Sequence, residues 1–365
     1  MQKRPLNVAI VGYGLAGSVF HAPLIASTRG MSVAAIVTAN PGRRQRAGRD
    51  FPEARVLDTA DEIWNDAAHV DLVVVASPNR YHAPLALAAI RHGIAVVIDK
   101  PMALSTGEAL DLIRMSRESS VPVTCFQNRR WDGDFLTVRR LVANGMLGPI
   151  TRFESRFERY RPTVRPDAWR EHTAFEAGGG LLWDLGSHLI DQAILLFGPP
   201  DSVYAEMASR RSGATVDDDT FVALHFADDV VAHLWMSVTA RVPGPRMVVR
   251  GLSGAYEKYG LDPQEETLRV GERPGDDTWG KEHQTSWGHL RASLGGVNFD
   301  GNVETLPGDY PAFYQQVRDA LIEGTPMPVD PDDAARTIGV IEAARRSAVS
   351  GTVERLLSAD PPLPP

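Results

Sequence analysis

The feature that most constrains this chain is Gly12-Tyr13-Gly14-Leu15-Ala16-Gly17, which follows directly on the apolar run 8–11 and opens a helical pattern. In a strand–turn–helix setting this spacing has a mechanical reading. Gly12 permits the tight turn, Gly14 lets a pyrophosphate approach the backbone, and Gly17 lets helix and sheet pack closely. The helix start adds free N–H groups and the positive end of the helix dipole. The motif predicts a dinucleotide site lined by residues 12–17; the alternative is an empty turn of the same shape. Its surroundings agree. The runs 33–37, 72–76, 95–98 and 121–126 are rich in β-branched residues without polar alternation, as strands buried on both faces are. Helical stretches at 17–27, 59–65, 81–91 and 105–119 lie between them. Pro84 falls in a first turn, and Ser105 with Glu108 makes a capping box. Strand and helix alternating in this way predict a doubly wound parallel sheet, an α/β Rossmann domain.

An NAD site asks for an acid about 20 residues beyond the glycines, to hydrogen-bond the ribose. Residues 36–44 read Ile-Val-Thr-Ala-Asn-Pro-Gly-Arg-Arg and contain none. Thr38 and Asn40 can donate hydrogen bonds, and Arg43 and Arg44 can face a 2′-phosphate. NADP(H) is therefore expected ahead of NAD(H). The other reading makes the two arginines a solvated helix start.

Beyond residue 126 the pattern changes. The stretches 150–160 and 219–240 alternate apolar with polar residues, the second around a turn at Ala227-Asp228-Asp229. Strands with one wet face predict a mostly antiparallel sheet in this second part of the chain. Helices are expected at 185–197, 309–323 and 331–349. Residues 272–308, rich in Gly, Trp and His, show no clear period and are expected to form a long irregular excursion. Trp279, His283, Trp287 and His289 within it would either cover the site or pack between subunits. The ending Asp-Pro-Pro-Leu-Pro-Pro cannot continue a helix. A length of 365 residues suits two packed domains. The expected division is 1–126 for the cofactor and 127–365 for substrate and oligomerisation, with the helix at 331–349 a candidate to pack back on the first domain.

Composition narrows the class of partner. With 43% hydrophobic and 23% charged residues the chain is neither disordered nor fibrous. A net charge of −8 argues against nucleic acid or an anionic membrane as partner. No apolar run reaches the roughly 18 residues of a membrane span, and the N-terminus lacks the apolar core of a signal peptide. One cysteine, Cys125, cannot form an internal disulfide, which fits a reducing compartment. A cytoplasmic enzyme is expected.

Two constellations carry chemistry. Asp99-Lys100-Pro101 ends the run 95–98, and the carboxyl ends of parallel strands face the ligand crevice. A partly desolvated Lys100 there can hydrogen-bond a hydroxyl and stabilise an alkoxide, although a lysine at a strand end is commonly only a surface residue. In the segment 178–191, Gly-Gly-Gly-Leu-Leu-Trp-Asp-Leu-Gly-Ser-His-Leu-Ile-Asp, Asp184, His188 and Asp191 fall on one stripe if the segment is an α-helix. A carboxylate beside His188 would orient it as a general base, and the glycines would leave room for substrate. A structural histidine is the plain alternative. A metal site is not expected, because one histidine lacks the denser ligand set of zinc enzymes.

Together these pieces resemble the Gfo/Idh/MocA family of oxidoreductases. The likeness runs in family order through the glycine loop, Ser77-Pro78-Asn79 with His82, Lys100-Pro101 and the segment 178–191, and covers nearly the whole chain. Asp99 departs from the glutamate usual before the lysine. His21-Ala22-Pro23, 128–132 (Asn-Arg-Arg-Trp-Asp), 159–162 (Arg-Tyr-Arg-Pro), Trp169-Arg170-Glu171 and 258–262 (Lys-Tyr-Gly-Leu-Asp) resemble the NADP-dependent scyllo-inositol dehydrogenases and their uncharacterised relatives. The resemblance implies Lys100, Asp184 and His188 as the catalytic set. It also implies Ser77, Pro78, Asn79, His82, Trp169 and Arg170 along the cofactor, and Asn128, Arg129 and Tyr160 in the substrate pocket. Arg130 and Asp132 could equally be a structural ion pair. The resemblance further implies that the C-terminal part is an α+β domain with a large open, mostly antiparallel sheet, through which a homodimer or homotetramer forms. The implied reaction is reversible oxidation of a ring secondary alcohol on a cyclitol or sugar-like polyol. Three other readings stay open. One is tightly held NAD(P) used within one cycle for elimination or glycoside cleavage, another a dinucleotide sensor, and the third a reductase of an imine or biliverdin-like substrate.

Overall fold

The computed structural model describes residues 4–166, 168–275 and 277–356. The chain divides into two compact units. The first comprises Met1–Asp132, Pro263–Gly280 and Gly308–Ala335; the second comprises Gly133–Asp262, Lys281–Pro307 and Arg336–Pro365.

The first unit opens with β1 (Leu6–Val11), a π-helical turn (Ala16–His21) and α1 (Ala22–Ser27). It continues through β2 (Met31–Val37), α2 (Pro41–Asp50), β3 (Arg55–Leu57), α3 (Asp61–Trp64) and β4 (Leu72–Val75). Then come α4 (His82–Arg91), β5 (Ala95–Asp99), α5 (Thr106–Ser119) and β6 (Val123–Phe126). Every pairing is parallel, in the order β3-β2-β1-β4-β5-β6. This is the doubly wound sheet the apolar runs predict, and every residue of β4, β5 and β6 is buried. The order reverses between β1 and β4, where such sheets hold ligands beyond their carboxyl ends. The capping box also forms. Ser105 Oγ accepts from the Glu108 N–H at 3.1 Å, and Glu108 Oε2 accepts from the Leu104 N–H at 3.0 Å.

The second unit carries α6 (Gly133–Ala143), β7 (Ile150–Glu158), α7 (Ser187–Phe197), β8 (Ser202–Ala208), β9 (Asp219–His225), β10 (Val231–Ser237), β11 (Met247–Gly251) and β12 (Gly254–Lys258). After α8 (Gln264–Arg269), which belongs to the first unit, come β13 (Gly288–Leu294) and β14 (Val297–Val303). Next are α9 (Tyr310–Glu323), again of the first unit, α10 (Pro331–Ser350), which belongs to the first unit through Ala335 and to the second from Arg336, and β15 (Glu354–Arg355). The nine strands pair in the order β14-β13-β12-β11-β7-β10-β9-β8-β15. Only β7 with β10 is parallel. Within this unit Ser347 Oγ of α10 accepts from the Ala205 N–H at 3.1 Å.

The structure corrects the reading of 272–308 as irregular. Strands β13 and β14 form a hairpin whose turn is Gly295-Gly296, both at positive φ (57° and 84°). Two glycines at positive φ are what a tight hairpin turn demands. His289 lies in this hairpin, 2.7 Å from Asp300. Trp279 is fixed in the first unit, donating its indole N–H to Gln264 Oε1 at 2.9 Å. The proline-rich ending lies outside the described residues, among which no helix is long and apolar enough to cross a membrane.

Candidate active site

In the first unit the three glycines are required for three different reasons. Gly12 has φ +106°, and a Cβ there would lie 2.4 Å from the Ala76 carbonyl oxygen at the end of β4. A Cβ on Gly17 would lie 2.0 Å from the carbonyl oxygen of Gly12. Gly14 is different: a Cβ there would find nothing nearer than the Arg43 guanidinium, at 3.7 Å. The first and third glycines are thus consumed by packing, and the second keeps an open approach to the backbone. Leu15 beside it is exposed, whereas the Tyr13 ring is buried, with its hydroxyl 3.3 Å from Asp50 Oδ2. Tyr13 therefore offers a ligand its backbone, not its ring.

The end of β2 supplies the groups expected at the adenosine side. Thr38 is buried, and Asn40 caps α2, its Oδ1 accepting from the Arg43 N–H at 3.0 Å. The two arginines separate. Arg44 is turned to Asp58, with its guanidinium 2.5 Å from the carboxylate. Arg43 is exposed beside Gly14 and has no ion-pair partner among the described residues. Arg44 would have to leave this exposed pair to meet a phosphate, whereas Arg43 would not.

The strand ends beyond β4 and β5 hold the remaining first-unit residues. The Ser77 hydroxyl is buried without a hydrogen-bond partner among the described residues. Asn79 and His82 are buried; the His82 ring lies between the carbonyl oxygens of Pro101, at 2.7 Å, and Ser77, at 2.8 Å. Both ring nitrogens thus face backbone carbonyl oxygens, and the ring joins the two loops. Lys100 is half-buried after Asp99, whose Oδ1 accepts the Lys100 N–H at 2.9 Å, and its peptide bond to Pro101 is cis. Burial pushes the Asp99 carboxyl up, but His21, His82 and Lys100 together hold it below the usual carboxylate range. Arg129 is buried, paired with Asp132 at 3.2 Å and with Glu265 at 2.5 Å, while Arg130 pairs with Asp333 at 3.2 Å. The sequence reading of Arg129 as a substrate ligand missed these acids, one of them 136 residues away. Asn128, beside it, is buried in the same 3-10 turn.

In the second unit the 182–191 segment begins as a π-helical turn, Leu182–Gly186, before α7. The turn that carries Asp184 is thus π-helical where the sequence predicts an unbroken α-helix into His188. Asp184 receives the Arg170 guanidinium, Nε to Oδ1 at 3.2 Å, and that guanidinium stacks on the Trp169 ring at 4.5 Å. His188 is buried, with its ring edge-on to Phe157 at 6.5 Å. The Tyr160 hydroxyl accepts from Arg241 at 2.8 Å.

Gly179 and Gly180 have a packing reason that the sequence reading of the triplet as clearance for a substrate does not contain. A Cβ on Gly179 would lie 1.7 Å from the Thr173 carbonyl oxygen, and one on Gly180, at φ +92°, would lie 1.8 Å from Asp217 Oδ1. The glycines let the backbone pass these groups. Asp217, which the sequence reading did not single out, accepts from the Leu182 N–H and from the Thr220 hydroxyl, both at 2.8 Å. It thereby holds the start of the helical segment that carries Asp184 and His188. Burial pushes its carboxyl above the usual range, against those hydrogen bonds. No periodicity marks it, because its partner lies 35 residues away.

A doubly wound sheet with this glycine loop, joined to a second α/β unit, defines an oxidoreductase with an NAD-binding domain. Residues 6–127 match the oxidoreductase family described as an NAD-binding Rossmann fold, and 139–355 match its C-terminal alpha/beta domain. The chain belongs to the Gfo/Idh/MocA oxidoreductase family. It is 39% identical to the uncharacterised oxidoreductase YdgJ of Escherichia coli over 344 residues, 94% of this chain and 96% of that one. It is 36% identical to the NADP(+) scyllo-inositol 2-dehydrogenase IolW of Bacillus subtilis, covering 94% of each. The solved structure of YvaA from Bacillus subtilis superposes with a TM-score of 0.92 at 34% identity, covering 98% of this chain and 99% of that one.

Proposed function

We propose that this chain is an NADP(H)-dependent dehydrogenase acting on a secondary alcohol of a cyclitol or sugar-like polyol. The observation that carries the cofactor preference is the Arg43 guanidinium beside Gly14, free of ion pairs among the described residues, at a strand end without an acid. The residues fit the group. Gly14 leaves the cradle a pyrophosphate needs, Ser77 has an orphaned buried hydroxyl, and Arg43 offers a planar cation to a phosphate. Thr38, Asn40 and Asn79 are further contacts in this reading. When bound, the dinucleotide supplies the acceptor for two electrons and a proton equivalent.

The protein's own part is proton handling and placement. In this reading His188 takes the hydroxyl proton, Asp184 favours its protonated form, and Lys100 steadies the negative charge left on oxygen. The Arg170 pair holds Asp184 in place. Support for the substrate class comes from IolW, whose name states scyllo-inositol as its substrate. We also infer a homo-oligomer through the open face of the second sheet and no nucleic-acid partner.

The test is a panel of inositols and aldoses with NADP⁺ and NAD⁺, followed by absorbance. Net reduction of NADP⁺ with a polyol is expected, and absence of net reduction with either cofactor would refute the dehydrogenase reading. Lys100→Ala and His188→Ala should each lose roughly two to four orders of magnitude in kcat while still binding NADPH. Arg43→Ala should remove the preference for NADP⁺, and an unchanged ratio of kcat/KM values would exclude Arg43 from it.

A further inference from the structure

His82 faces a constraint that its place in the sequence does not reveal. It is the first residue of α4 and is 1% exposed. Nδ1 lies 2.7 Å from the carbonyl oxygen of Pro101, and Nε2 lies 2.8 Å from that of Ser77. A carbonyl oxygen only accepts, and a neutral imidazole carries a single N–H. Either neutral tautomer would therefore point a lone pair at a carbonyl oxygen within hydrogen-bond distance. The doubly protonated ring donates to both.

Among the charged groups near this ring is the Asp99 carboxylate, which interacts electrostatically with His82, His21 and Lys100. Asp99 and Lys100 stand at the end of β5, and His21 lies on the other side of Asp99, Nε2 to Oδ1 at 3.8 Å. His21 is in turn bonded through Nδ1 to the Tyr314 hydroxyl at 2.6 Å. Helix α5, packed against α4, buries Ala109, Leu112 and Ile113, while its charged residues Glu108, Asp111, Arg114, Arg117 and Glu118 are exposed. Strand β4 contributes only Leu72 and valines. The positive end of α4 and the Lys100 ammonium oppose the charge; the buried Asp99 carboxylate and the two carbonyl dipoles offset them.

We propose that His82 is a positioning residue held as an imidazolium, which ties the Ser77 loop after β4 to the Pro101 turn after β5 and so fixes the backbone that presents Lys100. The consequence for catalysis rests on the reading that Lys100 acts on the substrate. With the proton in place, both loops are pinned by one ring. Removing it breaks one of the two bonds, and the turn carrying Lys100 loosens as pH rises.

The experiment uses the full-length protein with ¹⁵N-labelled histidine side chains and ¹³C-labelled lysine, observed by NMR across the neutral and alkaline range. His82 is assigned by His82→Gln. It is assigned independently by replacing the other histidines of the ten one at a time, so a variant that fails to fold does not block the result. Both His82 ring nitrogens should keep the imidazolium signature at about pH 8, above the ordinary histidine value of about 6.5. A neutral single-tautomer signature at that pH would overturn the proposal. The Lys100 ¹³Cε signal, assigned by Lys100→Ala, should move as His82 loses its proton and should be displaced throughout in His82→Gln. A Lys100 signal indifferent to both would remove the positioning role. Neither readout needs turnover. A Lys100→Ala variant that stays active would therefore refute the catalytic reading, while the ring-nitrogen and lysine signals still decide the role of His82 by themselves.

Discussion

Gly14→Ala and Gly17→Ala differ by one methyl at two positions of the same loop, and the structure assigns them opposite consequences. At Gly17 the methyl would sit 2.0 Å from the Gly12 carbonyl oxygen, well inside contact distance, and both groups are backbone-fixed. Relief requires the helix start to shift off the loop, at the roughly 1–3 kcal/mol or more of an overpacked site. A domain of roughly 150–250 residues loses about 2–4 °C per kcal/mol, so the first unit should melt about 2–12 °C earlier. At Gly14 the methyl meets nothing nearer than 3.7 Å, and the backbone is not in the left-handed region. Its folded state is unstrained, and the lower entropy of the unfolded chain should leave stability unchanged or raise it by about 0.4–1 kcal/mol. The methyl does, however, occupy the approach a pyrophosphate would use. If the same overpacking penalty of about 1–3 kcal/mol falls on the bound state, NADPH affinity drops roughly 5- to 150-fold. Melting followed by intrinsic fluorescence, with NADPH titrated calorimetrically into each variant, separates the two effects. A Gly14→Ala variant that binds NADPH like the parent, or a Gly17→Ala variant that melts with it, would refute this division of labour.

Two other expectations follow from single sites. The folded Asp99 carboxyl is held below its ordinary range, burial raising it while His21, His82 and Lys100 more than offset that. It therefore contributes stability that is complete above the ordinary carboxylate value and is lost as pH falls through the lowered one. Asp99→Asn should flatten the acid side of Tm against pH, and an unchanged acid limb would count against the ion cluster. On the second sheet Phe221, His233 and Trp235 form a ring cluster, half-buried, with the Arg156 guanidinium 3.8 Å from the centre of the Trp235 ring. Trp235→Glu should dissociate an oligomer formed on that face, and light scattering that gives the parent's mass would exclude the face from the interface.

How much of this was legible in the sequence depended on how local each cause was. The strands of the parallel sheet are buried on both faces, so each left an unbroken apolar run; β4, β5 and β6 could be read directly. Strand β3, at three residues, is too short to show a period. The second sheet has one wetter face, and its strands β11 and β12 end in Arg250, Glu257 and Lys258, which hide the alternation. The hairpin β13–β14 was missed although Gly295-Gly296 between alternating residues is its signal. The glycine loop and Asn40 act through neighbours a few residues away, and their roles were visible in the spacing.

Long-range causes were not visible, and they change what the motif residues do. Arg129 and Arg44 read as free cations in the sequence, yet Glu265 and Asp58 claim them once the chain is folded. Gly179 and Gly180 read as clearance for a ligand, yet the Thr173 carbonyl and Asp217 fill that space. The two carbonyl oxygens that meet the His82 ring nitrogens come from residues 5 and 19 positions away and leave no mark in its sequence motif. A buried polar group must find partners, and folding assigns the nearest ones irrespective of sequence distance. The polar residues still available to a ligand are then those left over after this assignment. In the first unit they include the Gly14 backbone, the Ser77 hydroxyl and the Arg43 guanidinium, a set whose chemistry suits a phosphorylated dinucleotide.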